Sequence, residues 1–370
     1  MPANQYYIGV MSGSSLDGID VALTDFTGEQ CKVISTHFQA YPDSIKHALL
    51  KLHFPSDNEL EQSALIANKL AFLYAESIHA LLDKNALTAN DVIAIGCHGQ
   101  TIRHQPKYNN TVGYTIQLGN NALLAELTNI SVVGDFRSRD IAAGGEGAPL
   151  VPAFHHAIFA STTKNRAIIN IGGIANISYL AKDGGVIGFD SGPGNMLIDY
   201  WVERVLNKAY DDNGIWAATG KIIDHLLEQF LGDAYFSLIP PKSTGRDLFN
   251  QSWLEPYITN KNYPAEDIAR TLTELTGQSI CLALQQYCPE VEEVYLCGGG
   301  ARNQLLVASI RSKLDTMPLF TTKEIGVDVD WVEAVAFAWL AKQAIEKKSS
   351  NLPSVTGAIA SRVLGAIYQA

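Results

Sequence analysis

Short apolar runs alternate with longer segments of helical periodicity along the chain, a pattern typical of an α/β fold. The runs YYIGV and IDVALTDF flank the polar stretch MSGSSLDG, so we predict a strand, a turn and a second strand. Leucines recur at helical spacing within residues 59–84, which predicts a helix there. DVIAIGC and ISVVGDF are predicted strands, and HGQTIRHQP is predicted to be a loop after the first of them.

The opening pattern recurs in RAIINIGGIANISYL, residues 166–180, where two β-rich runs flank Gly172 and Gly173. A glycine turn between two strands is also an ordinary hairpin, so this repeat alone is weak evidence for an internal duplication. VEEVYLCGGGARN then places a third glycine stretch after another strand-like run. Three glycine loops at strand ends favour a duplicated unit.

Composition narrows the classes of function. A length of 370 residues suggests two domains, since about 150 residues per domain is typical. The net charge of -11 comes without a basic block, so we expect no nucleic-acid partner. We find no apolar run of the roughly 18 residues that cross a bilayer and no signal-peptide pattern, so we expect a cytoplasmic protein without a membrane partner. The five cysteines lack paired spacing and are predicted to be reduced core residues.

The glycine loops suit an anionic ligand, because main-chain amides without a Cβ nearby approach phosphates closely. The sequence has neither GxxxxGK[ST] nor a GxGxxG after a strand, so the nucleotide must be held in another way. Two strand-turn-strand units with a third glycine loop resemble the actin, sugar kinase and Hsp70 superfamily. That resemblance implies an α/β, two-domain, ribonuclease H-like fold with a central cleft.

Two carboxylates could act as bases or as helix caps. Asp190 in FDSGPGN follows an apolar run and precedes the predicted helix MLIDYWVERVL, where an aspartate commonly caps. Glu333 in DWVEAVAFAWLA follows Asp330 at the spacing of a capping box. From these residues alone, both alternatives stay open for both side chains.

Eight motifs, in order over nearly the whole chain, together resemble the anhydro-N-acetylmuramic acid kinase family. They are VMSGSSLDGID, GCHGQTIRHQP, GDFRSRDIAAGGEGAPLVPAFH, NIGGIANI, GFDSGPGN, PKSTGRDLFN, CGGGARN and DWVEAVAFAWLA. Ser14 departs from the threonine usual in the family but keeps a hydroxyl. The domains are predicted as residues 1–131 with 352–370, and residues 132–351.

The resemblance implies a bacterial enzyme of peptidoglycan recycling. Such an enzyme uses ATP and water to open the 1,6-anhydro ring of anhydro-N-acetylmuramic acid and phosphorylates O6, giving N-acetylmuramic acid 6-phosphate. An ordinary hexose kinase of the same superfamily is the alternative. The expected partner is the small sugar, and the family suggests a homodimer.

The resemblance also implies roles for individual residues. Asp190 is expected to be the catalytic base, with Glu333 assisting it. Asp17 and Asp20 are expected to hold Mg²⁺ through water, since magnesium keeps several waters. The residues expected to bind ATP are Gly13, Ser14, Ser15, Leu16, Asp17, Gly18, Ile19, Asp20, Gly172, Gly173, Gly298, Gly299 and Gly300. A tight structural turn is the alternative for each glycine.

Sugar recognition is assigned to polar residues of two further motifs. Arg137 or Arg139 is expected to meet the lactyl carboxylate with parallel hydrogen bonds, although either could form an ion pair with Asp135 or Asp140 instead. The hydroxyl and acetamido groups of the sugar are expected to form hydrogen bonds with a second set of residues, namely His98, Gln100 and Thr101. The segment PKSTGRD, which contains Lys242, is expected to order a loop of the active site.

Overall fold

The computed structural model describes residues 4–13, 16–28, 31–108, 111–246 and 248–370. The chain divides into two compact units, unit 1 (Met1–Ile158 with Trp331–Ala370) and unit 2 (Phe159–Asp330). The strands are β1 (Tyr6–Ser12), β2 (Gly18–Asp25), β3 (Lys32–Ala40), β4 (Val92–Tyr108), β5 (Thr111–Leu118), β6 (Val132–Gly134), β7 (Arg166–Ile171), β8 (Ile174–Leu180), β9 (Val186–Pro193), β10 (Glu293–Cys297), β11 (Leu319–Thr321) and β12 (Ala366–Tyr368).

Helices connect these strands in both units. They are α1 (Asp43–Leu52), α2 (Glu59–Lys84), α3 (Asn121–Thr128), α4 (Ser138–Ala142), α5 (Val151–Phe159), α6 (Met196–Leu206), α7 (Asp224–Leu231), α8 (Gln251–Ile258), α9 (Ala265–Tyr287), α10 (Gln304–Lys313), α11 (Val332–Ile345) and α12 (Pro353–Thr356). The helix predicted over residues 59–84 is confirmed as α2.

The two sheets repeat one strand order. In unit 1, β1, β2 and β3 are antiparallel neighbours, while β4 adds parallel to β1 and β6 adds parallel to β4. In unit 2, β7, β8 and β9 are antiparallel neighbours, while β10 adds parallel to β7 and β11 adds parallel to β10. The α/β class is therefore confirmed, and the shared order supports a duplicated unit.

Helices cover both faces of the first sheet, because successive side chains of its strands point to opposite faces and both faces are apolar. Ile8 and Val10 of β1 join a core with α1 and α2. The intervening Gly9 faces α11, where a Cβ would come within 1.7 Å of the Ala334 carbonyl oxygen. Gly96 of β4 meets α11 in the same way. Glycine at these two positions lets the helix lie directly on the sheet.

The compact units differ from the predicted domain boundaries at residues 132–158 and 331–351, which were assigned to the second domain. These segments lie in unit 1. The reason is pairing and packing between parts of the chain distant in sequence: β6 pairs with β4 and β12, and α11 lies on β1. Neither contact has a local sequence signal.

One local prediction was wrong. HGQTIRHQP is not a loop, because β4 continues through it to Tyr108 and forms an antiparallel hairpin with β5. The strand that carries Asp190 extends beyond it, since β9 continues to Pro193. In both segments, pairing with a neighbouring strand continues the strand through polar residues and glycines that are also common in turns.

Other expectations concern the core. All five cysteines are free; Cys31 is half-buried and the other four are buried, which confirms them as reduced residues that lie mostly in the core.

Helix α2 is long and apolar enough to cross a membrane by length and composition, but half of its most apolar 18-residue stretch is buried within the protein. Its buried side chains, Leu70, Tyr74 and Ile78 among them, belong to the core of unit 1. A core helix passes the same test, so this is weak evidence for a membrane span.

Candidate active site

Asp190 lies within β9, at a local irregularity of the sheet. Asn176 pairs with Asp190, but the next pair joins Ala175 to Gly192, which leaves Ser191 as an extra residue on β9. Such bulges redirect side chains and are common beside active sites. The predicted alternative of a helix cap is wrong, because α6 begins at Met196 and Asn195 occupies its N-cap.

One carboxylate oxygen of Asp190 is fixed by the main chain. The amide of Thr244 donates a 2.9 Å hydrogen bond to Oδ2, and the amide of Asp190 donates to the Lys242 carbonyl at 3.0 Å. The Tyr235 hydroxyl donates to the Asp190 carbonyl at 2.7 Å. Within the described ranges, no residue donates to Oδ1. The half-buried carboxylate thus keeps one oxygen to accept a proton.

The protein surrounding Asp190 favours its neutral form. Desolvation raises the pKa of this carboxyl from 3.8 to about 7, against the hydrogen bond from Thr244 and the positive charge of Lys242, which both lower it. A base works best when its pKa lies near the working pH, because it is then ionised often and still holds a proton well. Asp190 therefore has the electrostatic properties of a general base near neutral pH.

Glu333 lies in the first turn of α11 in unit 1. Trp331 is the N-cap of this helix and no side chain caps it, so the capping box predicted for Asp330 and Glu333 is absent. Asp330 instead forms an ion pair with Arg302 in unit 2. Desolvation raises the pKa of Glu333, while the positive charge of Arg137 lowers it.

Arg137 is held by its own unit and Arg139 is exposed. The Arg137 guanidinium bonds to Nε2 of His98 through Nε at 3.2 Å and Nη2 at 2.9 Å, and Nη1 donates to the Gly147 carbonyl at 2.8 Å. Among the residues described, no ion pair joins either arginine to Asp135 or Asp140. With five N–H groups on a guanidinium, one N–H on each terminal nitrogen of Arg137 stays available for a carboxylate.

His98 is neutral in this arrangement. Burial and the charge of Arg137 lower its pKa to about 3, so Nε2 accepts from the guanidinium while Nδ1 carries the proton. The imidazole therefore orients Arg137. His98 also lines a cavity of about 260 Å³ in unit 1, together with Gln117, Asn121, Asp135 and other residues.

Gln100 and Thr101, which were predicted to bind sugar, are engaged within unit 1. The fully buried Gln100 donates from Nε2 to the Gly13 carbonyl at 3.1 Å, so it anchors the loop after β1. The Thr101 hydroxyl accepts from Gln117 at 3.2 Å. Their part in sugar binding stays a prediction.

The first glycine loop connects β1 to β2. Its Ser14 and Ser15 lie outside the described residues. Leu16 and Ile19 are buried, so their side chains serve the core and only their main chain could meet phosphate. Gly18 is required by packing, since a Cβ there would lie 2.3 Å from the Gln39 carbonyl oxygen.

The second glycine loop (Gly172 and Gly173) and the third (residues 298–300) belong to unit 2. Their glycines differ in how much space a side chain would have. A Cβ on Gly172 or Gly173 would meet nothing closer than 3.7 Å, and one on Gly299 nothing closer than 3.8 Å. In contrast, a Cβ on Gly300 would lie 2.3 Å from Cγ2 of Ile171. Gly298 has a φ of 77°, which favours glycine. Backbone conformation thus explains Gly298 and packing explains Gly300, whereas Gly172, Gly173 and Gly299 leave room beside their main chain for a ligand.

The predicted magnesium ligands lie in and after the first loop. Asp17 is exposed and Asp20 is half-buried on β2. In the part of the chain that is described, no group of three or more His, Cys, Asp or Glu side chains could hold a metal ion. Mg²⁺ is usually held by nucleotide phosphates and water with few protein carboxylates, and the role of Asp17 and Asp20 as its ligands stays a prediction.

Sequence reasoning did not assign Asn176 or Tyr235 to the site, and it placed Lys242 only in an expected loop of the active site. Asn176 lies directly opposite on β8, and its buried Oδ1 accepts no hydrogen bond from any residue in the described ranges. Lys242 places a buried ammonium nearby, and Tyr235 bonds the Asp190 main chain. Asn176 lies in the motif NIGGIANI and Lys242 lies in PKSTGRD, but no sequence pattern pointed to Tyr235.

Comparisons with known proteins cover almost the whole chain. Residues 5–370 match the family model described as anhydro-N-acetylmuramic acid kinase. A curated relative of that name from Nitrosomonas europaea is 52% identical over 365 residues, which cover 99% of this chain and 100% of its own length. One from Pseudomonas putida is 48% identical over 365 residues, with 98% and 99% covered.

Among solved structures, the activator of 2-hydroxyisocaproyl-CoA dehydratase from Clostridium difficile, with bound ADPNP, matches with a TM-score of 0.46 at 12% identity. It covers 92% of this chain and 97% of its own. The ROK hexokinase from Thermus thermophilus matches with a TM-score of 0.36 at 14% identity, covering 92% and 99%. These scores are low, so the fold assignment rests on the strand order described above.

Proposed function

This chain belongs to the anhydro-N-acetylmuramic acid kinase family, and on that premise we propose that it opens the 1,6-anhydro ring of anhydro-N-acetylmuramic acid and phosphorylates O6. The products are N-acetylmuramic acid 6-phosphate and ADP. A family match over residues 5–370 and full-length relatives of the same name favour this function over that of an ordinary hexose kinase.

The reaction couples a hydrolysis to a phosphoryl transfer. The oxygen of water forms a bond to the anomeric carbon and the bond from that carbon to O6 breaks. O6 takes the electron pair of the broken bond and attacks the γ-phosphorus of ATP, so ADP leaves. The water loses one proton, which a base must accept. Positioning of O6 in line with the γ-phosphate supplies much of the rate.

Asp190 is the base in this proposal, and its environment is the observation that carries the assignment. One of its oxygens is fixed by Thr244, Oδ1 accepts no hydrogen bond from any described residue, and desolvation raises its pKa to about 7. An ionised carboxylate of this kind takes the proton of water more readily than an ordinary aspartate with a lower pKa. Glu333 assists by orienting the water or the sugar.

The remaining predicted residues bind the substrates. Arg137, oriented by His98, binds the lactyl carboxylate with the N–H groups that its own unit leaves available. His98, Gln100 and Thr101 are assigned to the sugar, with Gln100 acting through the loop it anchors. Arg139 is exposed and carries no part of this proposal.

ATP is held by the glycine loops, at residues 13–20, at Gly172 and Gly173, and at residues 298–300. The free space beside Gly172 and Gly173 supports close approach of the Gly173 amide to phosphate, while the Gly172 amide donates to the Ile174 carbonyl at 3.1 Å. Asp17 and Asp20 would hold Mg²⁺ through water, and the ion would offset the negative charge of the phosphates. We place the enzyme in the cytoplasm as a homodimer.

Isotope labelling tests the coupling of hydrolysis and transfer. The enzyme is incubated with anhydro-N-acetylmuramic acid and ATP in ¹⁸O water, and the product is analysed by mass spectrometry. We expect one ¹⁸O at the anomeric carbon and none between C6 and phosphorus. Unlabelled product from the anhydro-sugar, or turnover limited to sugars with a free 6-hydroxyl, would support the ordinary hexose kinase.

A time-matched control removes the ambiguity of spontaneous exchange. Unlabelled N-acetylmuramic acid 6-phosphate is kept in ¹⁸O water with enzyme and ADP for the same period. The label that this sample gains at the anomeric carbon is subtracted from the label of the reaction product. A difference of zero would contradict hydrolytic ring opening.

A further inference from the structure

We propose that Lys242 is a positioning residue for Asp190: its buried ammonium, enclosed by Tyr235 and Tyr287, keeps the neighbouring carboxylate ionised so that it can accept the proton of water. The inference rests on the proposed function, because it gives Lys242 a role through the proposed base. Lys242 itself need not touch the sugar or ATP.

The Lys242 ammonium is buried among aromatic rings. The residue is 8% exposed, and Nζ lies 4.7 Å from the centre of the Tyr235 ring and 5.7 Å from that of Tyr287. Nζ also donates to the Tyr235 carbonyl at 3.3 Å. In the described part of the chain these rings and this carbonyl, rather than an ion-paired carboxylate, are its close partners. Burying the Lys242 ammonium costs desolvation free energy, and its contacts with two rings and one carbonyl offset only part of that cost. A functional interaction of the ammonium would account for a charged side chain at this position.

Main-chain hydrogen bonds hold the backbone of Lys242 next to that of Asp190. The segment of residues 242–244 lies along Asp190, which donates from its amide to the Lys242 carbonyl at 3.0 Å and accepts from the Thr244 amide at 2.9 Å. Tyr235 contacts both groups, since its ring lies under Nζ while its hydroxyl bonds the Asp190 carbonyl at 2.7 Å. One tyrosine therefore joins the ammonium to the strand that carries the base.

The charges of Asp190 and Lys242 shift each other's pKa in the directions expected for opposite charges. Desolvation raises the pKa of Asp190 and Lys242 lowers it. Desolvation lowers the pKa of Lys242 and Asp190 raises it. Among the described residues of unit 2, the titratable side chains that contact this pair are Tyr235 and Tyr287. The pKa of Tyr235 is raised by its own burial and by Asp190, so Tyr235 stays neutral and contributes no charge.

Removal of the ammonium should therefore shift the pH dependence of turnover. Without it the Asp190 carboxyl ionises at higher pH, so fewer molecules carry an active base at neutral pH. A neighbouring unit charge inside a protein shifts the pKa of a carboxyl by about one unit or more. A merely structural role for Lys242 would lower activity at every pH and leave the shape of the profile unchanged.

The experiment measures kcat against pH for the full-length enzyme and four variants. Lys242→Met and Lys242→Gln remove the charge, and either one suffices if the other fails to fold. Both should shift the acidic limb of kcat upward by about one pH unit, with about tenfold less activity at pH 6 and near recovery at pH 9. Lys242→Arg should keep the limb in place, and Lys261→Met is the matched control at an exposed lysine of unit 2.

The outcomes separate this inference from the proposed function. A folded neutral variant whose acidic limb coincides with that of the wild type overturns the role of Lys242. The same holds if Lys242→Arg shifts the limb as far as Lys242→Met does. Asp190→Asn is assayed in parallel: if it retains turnover, the base assignment itself fails, whatever the lysine variants show.

Discussion

The main-chain amide of Thr244 donates a 2.9 Å hydrogen bond to Oδ2 of Asp190, and this bond orients the carboxylate of β9. The donor lies 54 residues further along the chain, in the PKSTGRD motif. Because the bond comes from the main chain, side-chain changes at Thr244 leave the donor in place. The orientation of Asp190 therefore depends on the path of residues 242–244 rather than on the identity of residue 244.

Replacing Asp190 by asparagine should abolish turnover while keeping both substrates bound. The amide has a similar volume but cannot take a proton from water, and a positioned general base contributes about 10²–10⁴-fold. We expect kcat to fall by about that factor, with dissociation constants for ATP and sugar within about threefold of wild type by calorimetry. Asp183→Asn, in the exposed turn before β9, is the control and should retain full activity.

The same substitution should stabilise the protein at alkaline pH. The pKa of Asp190 is raised from 3.8 to about 7 in the folded chain, so the folded state binds more protons than the unfolded state between these values. The contribution of Asp190 is thus fully favourable below pH 4 and is lost as the pH rises through 7. The melting temperature of Asp190→Asn minus that of wild type should be more positive at pH 8 than at pH 5, by a few degrees; a difference independent of pH would contradict the raised pKa.

Arg137 and Arg139 should respond differently to the same change. Lysine keeps the charge but loses the paired N–H groups, which costs about 1.5 kcal/mol and hence about tenfold in affinity for a carboxylate. We expect Arg137→Lys to raise KM for anhydro-N-acetylmuramic acid about tenfold, with KM for ATP unchanged. Arg139→Lys serves as the matched variant and should behave as wild type. Equal effects of the two substitutions would contradict the assignment of Arg137.

Alanine substitutions should separate the glycines that serve packing from those that serve ATP. A Cβ at Gly173 meets no atom within 3.7 Å, so Gly173→Ala should keep the melting temperature and raise KM for ATP. At Gly300 the Cβ would overlap Ile171, and overpacking costs about 1–3 kcal/mol, so Gly300→Ala should melt several degrees lower. If Gly173→Ala binds ATP normally, the second glycine loop does not contact phosphate.

Local sequence patterns determined a large part of this protein. Alternating apolar runs predicted most strands, because each strand of a covered sheet must bury one or both faces, and the leucine spacing predicted α2 with its bounds. The repeated strand-turn-strand pattern indicated the duplication that the two sheets share. The ordered motifs identified the family, since each preserves a short local arrangement that a sequence displays directly.

Tertiary structure alone decided the rest, because the deciding contacts join residues far apart in sequence. Strand pairing turned HGQTIRHQP into part of β4 and carried β9 past Asp190. The contact by which the environment of Arg137 differs from that of Arg139 comes from His98, 39 residues earlier. The charge state of Asp190 depends on Lys242 and on burial, and a pKa is set by the three-dimensional surroundings of a group, which a linear pattern does not contain.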